Sequence, residues 1–165
     1  GDFSASWYFI DKEIKYYPDF AKSYYMRGLI FGYANHLNAA EKDFLEFLSR
    51  KPNSWAGYND LAWVYFKKGD YSKMEHSARK GLEYSNMNPW LLNALGLAVF
   101  NQNRAEESKN YFASSALRFE EIGKSGWGKA YPGNNPSDYR SGFETTINVV
   151  RKNLVSASTG GNDFQ

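Results

Sequence analysis

Few residues of this chain have both the type and the spacing that chemistry requires. Its two histidines, His36 and His76, have no second His, Cys or paired carboxylate at metal-ligand spacing. Cysteine is absent, which removes disulfides, thiolate metal sites and thiol nucleophiles. No serine lies in a G-x-S-x-G turn. Gly123–Lys124–Ser125 has the ending of a phosphate-binding loop, but Arg118 stands where that loop needs its first glycine, and helical sequence precedes it. The acids Glu41, Asp43, Glu46, Glu106 and Glu107 alternate with lysines, the pattern of solvated helix faces and weak ion pairs. Catalysis, a metal and a cofactor are therefore not expected. The remaining chemistry is recognition, since aromatic residues make up 18% of the chain as 13 Tyr, 12 Phe and 5 Trp.

The elements that must position those rings come from a repeat. At a step of 34 residues Gly28, Ala62 and Gly96 fall in phase, as do Tyr24, Tyr58 and Leu92, and Phe31, Tyr65 and Val99. Later in each unit come Ala40, Met74 and Ser108, then Phe44, Ala78 and Phe112, then Leu48, Leu82 and Ala116. Within a unit these recur at i, i+4, i+7 and again at i, i+4, i+8, the spacing of one apolar helix face. The stretches "YANHLN", "KKGDYS" and "NQNRAE" separate the two halves and are turn-prone. Each unit thus reads as two antiparallel helices, a first (A) and a second (B), with a small residue where they approach most closely.

This pattern, over roughly residues 1–119, resembles the tetratricopeptide repeat (TPR). The match is carried by Tyr24, Gly28, Phe31, Ala40, Phe44 and Pro52, by Tyr58, Leu61, Ala62, Tyr65, Gly69, Tyr71 and Ala78, and by Leu92, Leu95, Gly96, Val99 and Phe112. Arg27 departs from it, standing where Leu61 and Leu95 stand, and Pro89 comes three residues later than Pro52 implies. The resemblance implies an all-α, right-handed superhelical solenoid whose A helices line a partner-binding groove. By phase that groove takes Tyr25, Leu29 and Tyr33 from the first A helix, and Asn59, Trp63, Phe66 and Lys67 from the second. The third contributes Asn93, Leu97, Phe100 and Asn101. Trp63 lies two residues from both Leu61 and Tyr65, so it points away from the core they build. Family members that clamp a terminal carboxylate use Lys, Asn and Arg; at those phases stand Tyr25, Leu29, Asp60, Trp90 and Ala94, so an apolar, aromatic segment fits better than an acidic one.

The two ends read differently. "GDFSAS" at Gly1 has the phase of "GDYSKM" at Gly69, so residues 1–18 are expected to be a half repeat, a B helix alone. Full repeats follow at 19–53, 54–87 and 88–119. Residues 120–135, rich in Gly, Pro and Asn, read as a connection. A closing helix is expected over 136–157, capped by Asn135 and Pro136, and then a tail at 158–165. Its stripe Tyr139, Phe143, Ile147, Val150 and Leu154 must cover something.

Two functions follow as expectations. One is a non-catalytic scaffold that binds a peptide or partner helix in the groove. The other is a structural subunit assembling head to tail, as a ring or filament, with the closing-helix stripe packed on Trp7, Ile10 and Ile14 of the next copy. With 20 Lys and Arg against 18 Asp and Glu, there is no basic footprint for nucleic acid. The longest apolar run, "LLNALGLAVF", is too short to span a bilayer. Nothing in the sequence fixes a compartment.

Overall fold

A computed structural model describes residues 4–130 and 139–159. Among these residues there is no strand. The helices are α1 (Ser4–Tyr16), α2 (Ala21–Tyr33), α3 (Leu37–Arg50), α4 (Trp55–Lys68), α5 (Tyr71–Tyr84), α6 (Pro89–Phe100), α7 (Ala105–Ala130) and α8 (Tyr139–Thr159).

The turns carry the 34-residue step. Asn35, Gly69 and Asn103 have φ of 62°, 72° and 62°. After each, the next N–H reaches back to close the helix: His36 to Phe31 at 2.8 Å, Asp70 to Tyr65 at 2.9 Å, Arg104 to Val99 at 3.0 Å. Such a left-handed turn satisfies the last carbonyls of α2, α4 and α6 and reverses the chain. Only Gly and, at small cost, Asn enter that region readily. Helix starts are marked as clearly. Ser54 Oγ accepts from Gly57 N at 3.3 Å, and Asn88 Oδ1 from Trp90 N at 3.1 Å and Leu91 N at 3.3 Å. Pro89 is the first residue of α6, which is why it falls outside the phase of Pro52.

Size complementarity sets the helix pairs. A Cβ added to Gly28 would stand 3.1 Å from the Phe44 ring, and one added to Gly96 would stand 2.6 Å from Phe112. Where the small residue is Ala62, its B-helix counterpart is Ala78, and both are fully buried. Gly96→Ala therefore overpacks a closed site. The expected loss is up to about 2 kcal/mol, because strain of about 1–3 kcal/mol is offset by only roughly 1 kcal/mol of helix-propensity gain. Chemical denaturation reads it, and adding Phe112→Leu is expected to recover most of the loss.

The chain divides at Tyr84 and Ser85 into two compact units. In the first, α2 packs on α3, α4 on α5, and α3 on α4. Phe44, Ala40, Val64 and Ala78 are fully buried there. Asp43 does not lie on a solvated face. It is 1% exposed and takes two hydrogen bonds from Arg27, Nε to Oδ2 at 2.6 Å and Nη2 to Oδ1 at 2.7 Å. The third guanidinium contact, Nη1 to Asp11 Oδ1 at 2.7 Å, ties in α1. These bonds, Asp43 first, raise the Arg27 pKa against the opposing effect of burial. Ser23 Oγ adds a 2.5 Å bond to Glu13. Ile10 and Ile14 are half-buried.

Glu41 joins α3 to α4. Burial opposes its ionisation, but hydrogen bonds from Lys68 and Tyr65 outweigh this and hold its pKa below the ordinary 4.5. A carboxylate depressed in the folded state stabilises above its unfolded pKa, and that contribution is lost as pH falls through the folded value. The denaturation midpoint is thus expected to drop on acidification below pH 4.5, with a shallower drop for Glu41→Gln.

The second unit corrects two expectations. Residues 120–130 are not a connection: α7 continues to Ala130, broken only at Gly123 (φ 58°, ψ −175°), a conformation reserved for glycine. Residues 131–135 of the expected connection, and the expected cap Asn135–Pro136, lie outside the described residues. The helix persists because Phe119, Ile122 and Trp127 have a surface to bury against. That surface is α8, whose Phe143, Ile147 and Val150 form one core with Ala116 and Phe119. These three stripe residues are 8%, 3% and 1% exposed, so they offer nothing to a neighbouring subunit. Leu154 is half-buried, α8 runs on to Thr159, and the side chains of Trp7 and Tyr139 lie outside the described residues. Trp90 meets Phe119 edge to face at 4.9 Å, Ser115 Oγ donates to Pro89 O at 2.7 Å, and Arg151 pairs with Glu120 at 2.7 Å.

Candidate partner-binding groove

The α2 and α4 helices of the first unit present the residues that the repeat phase assigns to a groove. Leu29 and Tyr33 of α2 and Asn59, Asp60 and Trp63 of α4 line one open cavity of about 210 Å3. It exists because two helices approach where one has no side chain. A Cβ on Gly32 would stand 2.7 Å from the Trp63 ring, so the indole lies against the α2 backbone. Tyr33 flanks it with ring centroids 5.9 Å apart and planes at 47°. Trp63 is 36% exposed and Tyr33 73%. These are two rigid rings with open faces beside an amide and a carboxylate.

Asp60 is the lining residue that repeat phase did not assign to the groove. Its Oδ2 accepts from Tyr25 Oη at 2.7 Å, which fixes the carboxylate between α2 and α4. The signal was an acid at a phase where the carboxylate-binding relatives need a donor. Tyr25 serves as this positioner and packs on Phe47 (4.9 Å) and Phe44 (5.9 Å). Phe66 packs within its own helix pair, 6.4 Å from Tyr71. Lys67 is exposed.

The α6 residues belong to the second unit and have other roles. Leu97 is 6% exposed. Asn93 Oδ1 accepts from Asn153 Nδ2 of α8 at 3.1 Å, so its amide is engaged within the chain rather than with an extended segment. Asn101 Nδ2 closes its own helix by donating to Leu97 O at 2.8 Å, and Phe100 is half-buried. The helix is apolar nearly all round, the composition of a rod covered on most sides. Among the described residues no group of His, Asp or Glu is placed to hold a metal ion, and no helix is long and apolar enough to cross a membrane.

Comparison with known proteins agrees with this architecture. Residues 21–54 and 56–86, which hold the α2–α3 and α4–α5 pairs, match the model of the tetratricopeptide repeat. Two crystal structures of MamA have a similar fold. One superposes with a TM-score of 0.69 at 12% identity, over 97% of this chain and 91% of its own. The other has a TM-score of 0.63 at 18% identity over 68% of this chain, which spans 62% of that protein's length. No curated protein matches the chain in sequence. The chain thus carries tetratricopeptide repeats at residues 21–54 and 56–86, and its fold is the TPR-like helical solenoid.

Proposed function

We propose that the chain is a non-catalytic scaffold that captures a segment of a partner protein on the α2–α4 face of its first unit. The observation that carries this reading is the cavity of Leu29, Tyr33, Asn59, Asp60 and Trp63. Exposed aromatic rings over an apolar floor, with a few polar groups to set orientation, is the composition of binding hot spots. Leu29, Tyr33 and Trp63 favour a segment that brings an apolar or aromatic side chain. Selection from a displayed random-peptide library tests it. Enriched peptides are expected to compete for one site and to lose capture on Tyr33→Ser, a change at an exposed ring that leaves the fold intact. No enrichment over an unrelated helical protein, or indifference to Tyr33, contradicts the proposal.

Self-association is a second reading, favoured by a different observation. On α1, Tyr8, Phe9 and Tyr16 are 56%, 68% and 70% exposed, on the side opposite Ile10 and Ile14. In the turn that follows, Tyr17 and Phe20 are 67% and 49% exposed. A helix face with three exposed rings suits a contact with a second copy. Phe143, Ile147 and Val150 of the α8 stripe are buried in their own unit, so this reading rests on α1 instead. Light scattering over a concentration series decides this reading: a rising mass supports it, and a constant monomer mass removes it.

A further inference from the structure

A second cleft of about 630 Å3 lies in the first unit, between α3 and α5 with α4 as its floor, and shares no lining residue with the Trp63 cavity. Leu48, Leu61 and Tyr65 form a buried apolar base, and Leu45 stands over it 49% exposed. The α5 wall presents Lys73, His76, Ser77 and Lys80, spaced i, i+3, i+4 and i+7, which is one stripe along two helical turns. No carboxylate lines the cleft. The acids near it stand outside: Lys73 meets Asp70 at 3.3 Å and Glu41 at 3.8 Å, and Lys80 meets Glu83 at 3.0 Å. Both lysines are well exposed, so these pairs are screened and readily exchanged for an incoming carboxylate.

We infer that this cleft docks an acidic amphipathic helix of a partner protein. Two helices that splay over a third leave a trough whose ridges accept a fourth rod with apolar residues at i, i+3 and i+4. Leu45, Leu48 and Leu61 take that apolar edge, and Lys73, His76 and Lys80 take carboxylates along its flank. The stripe from Lys73 to Lys80 is about 10 Å long, which suits two to three turns of partner helix. Charge selects the occupant: a basic or neutral helix meets the same floor but not the same wall. The surface is separate from the α2–α4 groove, so a scaffold of this build holds two partners at once.

The test uses the full chain, 15N-labelled, and a synthetic helix of about four turns with Leu at i, i+3 and i+4 and Glu elsewhere; a twin peptide carries Gln in place of Glu. Saturable shifts are expected at the amides of Ser72, Lys73, His76, Ser77 and Lys80. The Gln twin is expected to bind about fivefold to tenfold more weakly, the fold-change of two screened ion pairs. Lys73→Ala with Lys80→Ala should weaken the Glu peptide by a similar factor and leave the Gln twin unchanged. Leu45→Glu, at an exposed position, should abolish both complexes, while Trp63→Ala should alter neither. Equal affinity for the twins, no saturable binding, or shifts at Leu29, Tyr33 and Asn59 instead would each overturn the inference. So would capture of phosphatidylserine vesicles through Lys73 and Lys80 without capture of the peptide.

Discussion

Asp43→Ala is expected to destabilise the first unit by about 3–5 kcal/mol, the scale for breaking one side of a buried ion pair. Arg27, only 20% exposed, would keep its charge and lose its bidentate partner, since the remaining contact to Asp11 is at an exposed carboxylate. That loss is a large fraction of the roughly 5–15 kcal/mol that stabilises a domain. The repeat supplies its own control. One step along the chain, the phase-mates of Arg27 and Asp43 are Leu61 and Ser77. The double variant Arg27→Leu with Asp43→Ser installs those residues together and leaves no buried charge, so it should recover most of the lost stability. Urea denaturation of the single and double variants measures both. If Asp43→Ala cost under about 1 kcal/mol, the pair would be acting like an exposed one.

Trp63→Ala is expected to weaken capture of a groove-selected peptide by about 30- to 100-fold, which is roughly 2–3 kcal/mol and typical of an aromatic hot spot. Stability should change less. A fully buried Trp→Ala change costs about 3–5 kcal/mol, but this ring is one-third exposed and rests on backbone, so about 1–2 kcal/mol is expected. Circular dichroism should therefore show a folded variant. Gly32→Ala offers the converse experiment. Its Cβ would stand 2.7 Å from the indole and push the ring off its seat, so binding should fall although Trp63 is still present.

Much of the fold was legible because each feature had a local signature. The left-handed turns at Asn35, Gly69 and Asn103 need residues that tolerate positive φ, and Asn or Gly recurs there at the repeat spacing. Close helix approach needs a small residue, and Gly28, Ala62 and Gly96 mark it. Asp43 was not legible as a buried acid, since a carboxylate beside Lys42 on an amphipathic helix looks solvated. The clue lay in one departure from phase, Arg27 where Leu61 and Leu95 stand, since a guanidinium at a core position needs an acid on the facing helix. The α6 share of the groove was misjudged for a related reason. Repeat phase says which way a side chain points but not what covers it, and here Asn93 meets Asn153 of α8. The end of α7 was obscured because Gly123 and Gly126 read as a loop, whereas Ile122 and Trp127 hold the segment by tertiary packing against the α8 core.

The most direct measurement is 19F NMR on the chain labelled with 5-fluorotryptophan, which reports its five tryptophans as separate signals. The Trp63 line is assigned from Trp63→Phe, and a peptide selected on the α2–α4 face is then added. If that face is the binding site, the Trp63 line moves and saturates with the measured affinity while those of Trp90 and Trp127 stay in place. A complex that forms with the Trp63 line unmoved would place the partner elsewhere and contradict the proposed role of the groove.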